Sequence, residues 1–382
     1  MKSWLALLAA LVLAASAGAA SSAPSLAIYP VPQGGFSLGL PPTWGDLTST
    51  VRAPRANGKT PTMAEIAQTL ASHGDQRLIV IDPAANGAVY ADVVVDYVGP
   101  VNLGIVESAT KSGIEKAFGK KALLSSAKVK LGTLSAYALS FAYTAQKVKF
   151  EASVYVVAAD QVEYAIRYVA PRASWAKYSA LFAASARTFK LLAPPKLAGD
   201  VLSAAEVGAG YKGSVIPRGG TFLGGATLDL CAGAYPSESL RTGRLQMSYV
   251  HAGKAVRVSN EVVTYVPGGA QEALREVRAV AKSCARKPAV VTQGKVKTTT
   301  EVAPIHDPNL LPGSVAVRIH VHQPGSNPED TTGVAIYQVK NNVLSGVYAW
   351  VNNGTTLAQA EKIAYRAAET SERKLGGTSL AA

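Results

Sequence analysis

Two histidines, His320 and His322, sit two residues apart in a run where Val315, Val317, Ile319 and Val321 alternate with Arg318, His320 and His322. Such alternation predicts a strand that puts both imidazoles and the Arg318 guanidinium on one face. Paired imidazoles on one face begin a zinc site, and His306-Asp307 a little upstream is the nearest source of a third ligand. No spaced Cys or Glu completes the set. The pattern therefore reads as a solvated or cleft-lining polar face, with no metal and no cofactor.

Glu238, Arg241 and Arg244 form a second group, each three residues from the next. On a helical turn this spacing gives local ion pairs. In a cleft, the two planar guanidinium groups would instead take a carboxylate or an anionic headgroup in bidentate fashion. The spacing alone leaves both readings open. Glu238, Arg241, Arg244, Arg318, His320 and His322 are thus the candidate ligand-binding residues.

Covalent catalysis finds less support. No G-x-S-x-G nucleophile elbow occurs, and none of the five histidines stands in a known nucleophile context. Gly208, Gly210 and Gly213 spell G-x-G-x-x-G, but a helical turn precedes them and Ser214-Val215-Ile216-Pro217 follows. A pyrophosphate site needs a strand before and a helix after, so these glycines read as turn punctuation. A metal-assisted or acyl hydrolase stands as the alternative function; a non-enzymatic binding protein is the expectation.

Compartment is written at the N-terminus. Lys2 is followed by an apolar run from Trp4 to Ala15 and then by small residues, the pattern of a secretory signal peptide over residues 1–20. The run is shorter than the roughly 20 apolar residues of a membrane span, and no later stretch reaches that length. The first cysteine is Cys231, so no lipid-anchoring cysteine follows the signal. A secreted product is expected, free of the membrane. The only two cysteines, Cys231 and Cys284, are then expected to form a disulfide, as oxidising compartments favour; two buried free thiols are the other reading.

The chain of 382 residues carries a formal charge of +13, divided evenly: 17 basic against 11 acidic side chains over residues 25–192, and 20 against 14 over residues 196–382. Its lysines and arginines are scattered without interleaved aromatics, which speaks against nucleic acid. An unknown small molecule, an anionic cell-envelope polymer or a lipid headgroup remains as partner, with solubility alone as the other account of the charge.

These residues need elements to hold them, and the pattern predicts two α+β domains, each an antiparallel sheet packed with helices. Pro194-Pro195 marks a linker over residues 193–200. In the first domain, residues 25–192, Thr62-x-x-Glu65 opens a helix, Asn86-Gly87 suits a tight turn between strands Leu78 to Ile81 and Val89 to Asp96, and a helix spans Ile105 to Phe118. Three alternating segments follow, Tyr137 to Tyr143, Val148 to Val157 and Gln161 to Val169. A last helix offers Trp175, Leu181, Phe182 and Phe189 to the sheet. In the second domain, residues 201–376, strands are expected at Thr227 to Leu230, Arg244 to Val250 and Asn260 to Val266. A helix from Ala270 to Cys284 comes next, then a basic loop. A hairpin across Asn341-Asn342 and a helix ending at Gly376-Gly377 close the chain.

The first domain resembles the PsbP-like fold through Gly35 to Trp44 ("GFSLGLPPTW"), the order of its elements and Leu181 to Lys190 ("LFAASARTFK"). That resemblance implies a binding or assembly module. From about Val201 to Leu375 the chain is similar to the extracellular sensor domain of PknH-type serine/threonine kinases of actinobacteria. The matching runs are "LSAAEVGAGY", "LDLCAGAYPSESLRTGRLQ" and "SNEVVTYVPGGAQEALREVRAVAKSC". This similarity implies an antiparallel α+β domain with a ligand cleft. The chain departs from that family in having cysteines for one disulfide where the kinase sensor has two, and in lacking the kinase domain and transmembrane helix.

Overall fold

The computed structural model describes residues 25–47, 62–72, 74–220, 222–223, 227–253, 256–293, 296–307, 310, 312–324, 329–351 and 356–375. The expected signal peptide lies outside these residues. The fold is α+β, with three antiparallel sheets and six helices among the described residues. It divides into two compact units between Ala193 and Pro194.

The first unit runs β1 (Ala27–Val31), β2 (Phe36–Leu40), β3 (Gly45–Asp46), α1 (Met63–Ser72), β4 (Gln76–Ile81), β5 (Tyr90–Tyr97), α2 (Leu103–Phe118) and β6 (Leu123–Leu131). It continues with β7 (Leu134–Ala145), β8 (Val148–Ala159), β9 (Val162–Pro171), α3 (Trp175–Arg187) and β10 (Lys190–Leu191). Seven strands form one sheet in the order β3-β4-β5-β9-β8-β7-β6, and β1-β2-β10 form another. The capping box is made: the Thr62 amide donates to the Glu65 carboxylate at 2.9 Å and the Glu65 amide to Thr62 Oγ1 at 3.3 Å. The turns Gln146-Lys147 and Asp160-Gln161 hold both central residues at positive φ, which matches the strand twist and sets the β7-β8-β9 register.

Each face of the larger sheet is covered. On one, Phe118 of α2 stacks on Tyr143 and Phe141 at 4.7 and 5.6 Å; Phe182 of α3 stacks on Tyr168 at 5.0 Å. Asn86 and Gly87 take left-handed angles, yet the connection is not a two-residue turn. Asp82 accepts from the Ala84 amide at 2.9 Å and starts a short 3-10 turn over Pro83–Ala85, which widens the loop. Strands β1 and β6 add to the elements the pattern revealed.

The second unit runs α4 (Ala204–Val207), β11 (Tyr211–Val215), β12 (Arg241–His251), β13 (Val256–Tyr265), α5 (Gly269–Cys284) and β14 (Ala289–Gln293). After these come β15 (Val296–Ile305), β16 (Val315–Gln323), β17 (Glu329–Lys340), β18 (Val343–Val351) and α6 (Leu357–Leu375). Eight strands make one antiparallel sheet, β11-β12-β13-β18-β17-β16-β15-β14. Asn341-Asn342 is the two-residue turn between β17 and β18, with Asn341 at φ 54.

Helix α6 lays Ala360, Ala364, Ala367 and Ala368 on Val258, Ala316, Val334, Ile336, Val347 and Ala349. A stripe of alanines lets the helix approach the sheet closely. The alternate set, Val302, Val317, Ile319 and Tyr337, is buried on the opposite face, where α5 packs against β15, β16 and β17. Asn260, Ser345 and Ser371 form a chain of polar contacts under α6. Asn260 accepts from the Leu202 amide at 2.9 Å and donates to Ser345 Oγ at 3.1 Å, and Ser345 meets Ser371 Oγ of α6 at 2.7 Å.

Two expectations need correction here. Residues Thr227 to Leu230 are not a strand: the Glu238 carboxylate takes the Thr227 and Leu228 amides at 2.8 and 3.2 Å, in place of a neighbouring strand's carbonyls. The expected basic loop after Cys284 contains β14 and β15, paired with each other across Ala289 to Thr300. Leu197, inside the expected linker, is buried with Val201, Val262, Val343 and Leu375. The three glycines fall as punctuation around a strand: Gly208 and Gly210 have positive φ and Gly213 lies in β11.

Candidate functional site

Arg241 opens β12 and Arg244 lies within it, so neither sits on a helical turn. A β-bulge between Arg241 and Gly243 explains why residues three apart still share a face: Arg241 stands opposite Tyr265 and Arg244 opposite Val263. That face is the one beneath α5. Both arginines are buried.

Every guanidinium nitrogen of the two has an internal acceptor. Arg244 Nε pairs with the Glu261 carboxylate, Nη1 donates to the Arg218 carbonyl at 3.2 Å, and Nη2 to Gln246 Oε1 at 2.6 Å. Arg241 donates from Nε to the Glu238 carbonyl at 3.0 Å and from Nη1 to Thr227 Oγ1 at 2.9 Å, while Nη2 lies 3.2 Å from Glu238 Oε2. Tyr348 donates to Glu261 Oε2 at 3.5 Å. The Ser237 amide donates to Glu276 of α5 at 3.1 Å.

Burial pushes the Glu261 carboxyl up to about 7, against the opposing pull of Arg244. Burial likewise raises Glu238, Glu276 and Asp229 above the ordinary carboxylate range. Among the described residues the Tyr265 hydroxyl is buried without a hydrogen-bond partner. The arginines thus serve a closed internal network and not an arginine-lined mouth. Cys231 and Cys284 are joined, tying the loop that carries this network to the end of α5, with Cα atoms 6.2 Å apart.

The other candidates lie on the α6 face of the sheet. Arg318, His320 and His322 follow one another along β16, in register with Val334, Thr332 and Asp330 of β17 and with Ala303, Glu301 and Thr299 of β15. Ala316, at the start of this row, is covered by α6. Arg318 reaches Glu361 of α6 at 3.0 Å, and beyond it the row is open. His320 Nε2 meets Asp330 Oδ1 at 2.5 Å and its Nδ1 lies 3.8 Å from Glu301 Oε2, with side chains 38% and 62% exposed for His320 and Asp330. The two imidazole centroids are 6.5 Å apart.

His306-Asp307 does not join this row. His320 stands opposite Glu301, five residues before His306, a run of about 17 Å along a strand. Asp307 instead bonds Tyr365 of α6, whose hydroxyl burial pushes up to about 12. Among the described residues no three His, Cys, Asp or Glu side chains come together to hold a metal ion. The partners Glu261, Glu301, Asp330 and Glu361 carried no spacing signal. The one signal available was Glu261's place as a charge inside an apolar strand run, and it was missed.

Among the described residues no helix is long and apolar enough to cross a membrane, a statement that leaves β-barrels aside. No protein-family model matches the sequence, and no curated protein matches it. Among solved structures, the extracellular domain of PknH from Mycobacterium tuberculosis is similar over 48% of this chain and 97% of its own, at 18% identity and a TM-score of 0.32. Cyanobacterial PsbP from Synechocystis matches over 46% of this chain and 98% of its own, at 13% identity and 0.30. The immunity protein TplEi of Pseudomonas aeruginosa covers 88% of this chain and 92% of its own, at 9% identity and 0.27. The two families named from sequence motifs therefore both appear, as weak fold-level likenesses, and no functional conclusion rests on them.

Proposed function

We propose that the chain is an extracytoplasmic, non-enzymatic binding protein whose second unit presents the open row Arg318, His320 and His322 to a cell-envelope ligand. The single observation behind this reading is the contrast in exposure. Arg241 and Arg244 have every guanidinium nitrogen engaged inside the fold, whereas in the β16 row half-exposed Arg318 meets the edge of α6 and His320 and His322 lie past it, with donors and acceptors reaching solvent. The signal-like N-terminus and the paired cysteines support that compartment.

The row mixes signs. Arg318 and the two imidazoles offer donors; Glu301, Asp330 and the Thr299 and Thr332 hydroxyls offer acceptors. A ligand that carries both hydroxyl and carboxylate groups complements that set, as a cell-wall glycan or glycopeptide fragment does. A purely anionic polymer would meet Glu301 and Asp330 as repulsion.

Native mass spectrometry with soluble cell-wall fragments tests the reading. The wild-type protein is expected to retain a fragment, and the Arg318→Ala, His322→Ala double variant to bind about tenfold more weakly for each charged hydrogen bond removed. Equal retention by both proteins, at equal thermal midpoints, overturns it.

A further inference from the structure

Between Glu276 and Glu301 the sequence holds six basic side chains, Arg278, Lys282, Arg286, Lys287, Lys295 and Lys297, and no acidic one. The fold gathers most of this charge around one strand. Lys282, Arg286 and Lys287 are exposed at the end of α5, immediately before β14, and exposed Lys297 of β15 stands opposite Thr292 of β14. Arg278 is engaged with the Gly313 carbonyl, but no described carboxylate pairs with the other four.

Strand β14 ends the eight-stranded sheet, so among the described residues its outer edge has no neighbour strand. Its two valines are unusually bare: Val290 is 52% exposed and Val291 46%. Neighbours in a strand point to opposite faces, so neither helix covers the strand at this point. Lysines alone on an edge would be explained as a guard against pairing with another sheet. Adjacent bare valines are not; they favour such pairing. Bare apolar side chains with unpaired cations just before them in the chain and across the hairpin suit a surface that is apolar within and anionic at its rim.

We infer that the edge formed by β14 and the end of α5 docks on an anionic phospholipid surface. Val290 and Val291 enter the headgroup region while Lys282, Arg286, Lys287 and Lys297 meet lipid phosphates. The Cys231–Cys284 bond fixes the helix end from which three of these cations project. This inference stands apart from the ligand row and does not depend on it.

Co-sedimentation of the full chain with large vesicles of phosphatidylcholine, with and without phosphatidylglycerol, tests the inference in the absence of any wall fragment. Binding is expected to the anionic vesicles alone. Replacing Lys282, Arg286, Lys287 and Lys297 by alanine is expected to weaken it by about a hundredfold or more, at roughly fivefold per cation. The same change at Lys116, Lys120, Lys121 and Lys149, exposed lysines of the first unit, is expected to cost far less. Val290→Ser with Val291→Ser is expected to cost about tenfold on vesicles while leaving retention on a heparin column unchanged. Three results each overturn the inference: no sedimentation with anionic vesicles, equal losses for the two lysine sets, or wild-type vesicle binding by the valine variant, which would leave a polyanion as the partner.

Discussion

The Arg244 guanidinium and the Glu261 carboxylate face each other across β12 and β13 with side chains only 7% and 2% exposed. A buried ion pair of this kind owes its worth to completeness: two desolvated charges offset each other only while each has its partner. Arg244→Ala strands Glu261 and is expected to destabilise the second unit by about 3 to 5 kcal/mol. The paired change Arg244→Met, Glu261→Leu is expected to cost less than either single change. Urea denaturation followed by fluorescence checks the order.

The disulfide closes a separation of 53 residues, for which the chain-entropy model gives about 4 kcal/mol. Cys284→Ser is expected to lower the stability of the second unit by roughly 2 to 4 kcal/mol, leaving the first unit unchanged. Peptide mapping without reductant is expected to recover one linked pair, and two alkylated thiols would contradict the bond.

In the first unit, Glu163 stands directly opposite Asp96 on adjacent strands. Burial, with the Asp96 charge added, pushes the Glu163 carboxyl from 4.5 up to about 7. The folded chain therefore holds this proton more tightly than the unfolded one. Its stabilising contribution is complete below about pH 4.5 and is lost as pH rises through 7. The loss amounts to about 3 kcal/mol. Glu163→Gln is expected to flatten the stability profile across that window, as thermal melts at half-unit pH steps would show.

The buried pair Asp92 and Arg167 offers a contrasting case, with Asp92 wholly inaccessible and the Arg167 Nε 2.8 Å from its Oδ1. Asp92→Asn keeps the volume but leaves the guanidinium desolvated, and an expected loss of about 3 kcal/mol is measurable by denaturant unfolding. A neutral outcome would mean that water reaches Arg167.

Where alternation is strict, the sequence reads directly: β7, β8, β9, β16 and the Asn341-Asn342 hairpin follow from period-two patterns closed by residues that tolerate positive φ. Strands β14 and β15 both escaped: an edge strand bare on both faces, as β14 is, has no alternation to display, and β15 carries near its start Lys297 and three threonines that read as loop. Thr227 to Leu230 looked like a strand because its residues suit one, but a side chain, Glu238, supplies the acceptors. The shared face of Arg241 and Arg244 depends on a bulge, and a one-residue irregularity leaves no mark in composition. Arg318, His320 and His322 were legible as a row; that α6 stops short of His320 was not, since helix reach is a tertiary property.

Proton NMR of the imidazole side chains tests the proposed ligand row most directly, because the chain has five histidines and two of them lie in it. Titration with soluble cell-wall fragments is expected to move the His320 and His322 ring resonances together and to leave His251, packed against Tyr211 at 5.3 Å, in place. Saturable binding of the same fragments with His320 and His322 unmoved would contradict the account.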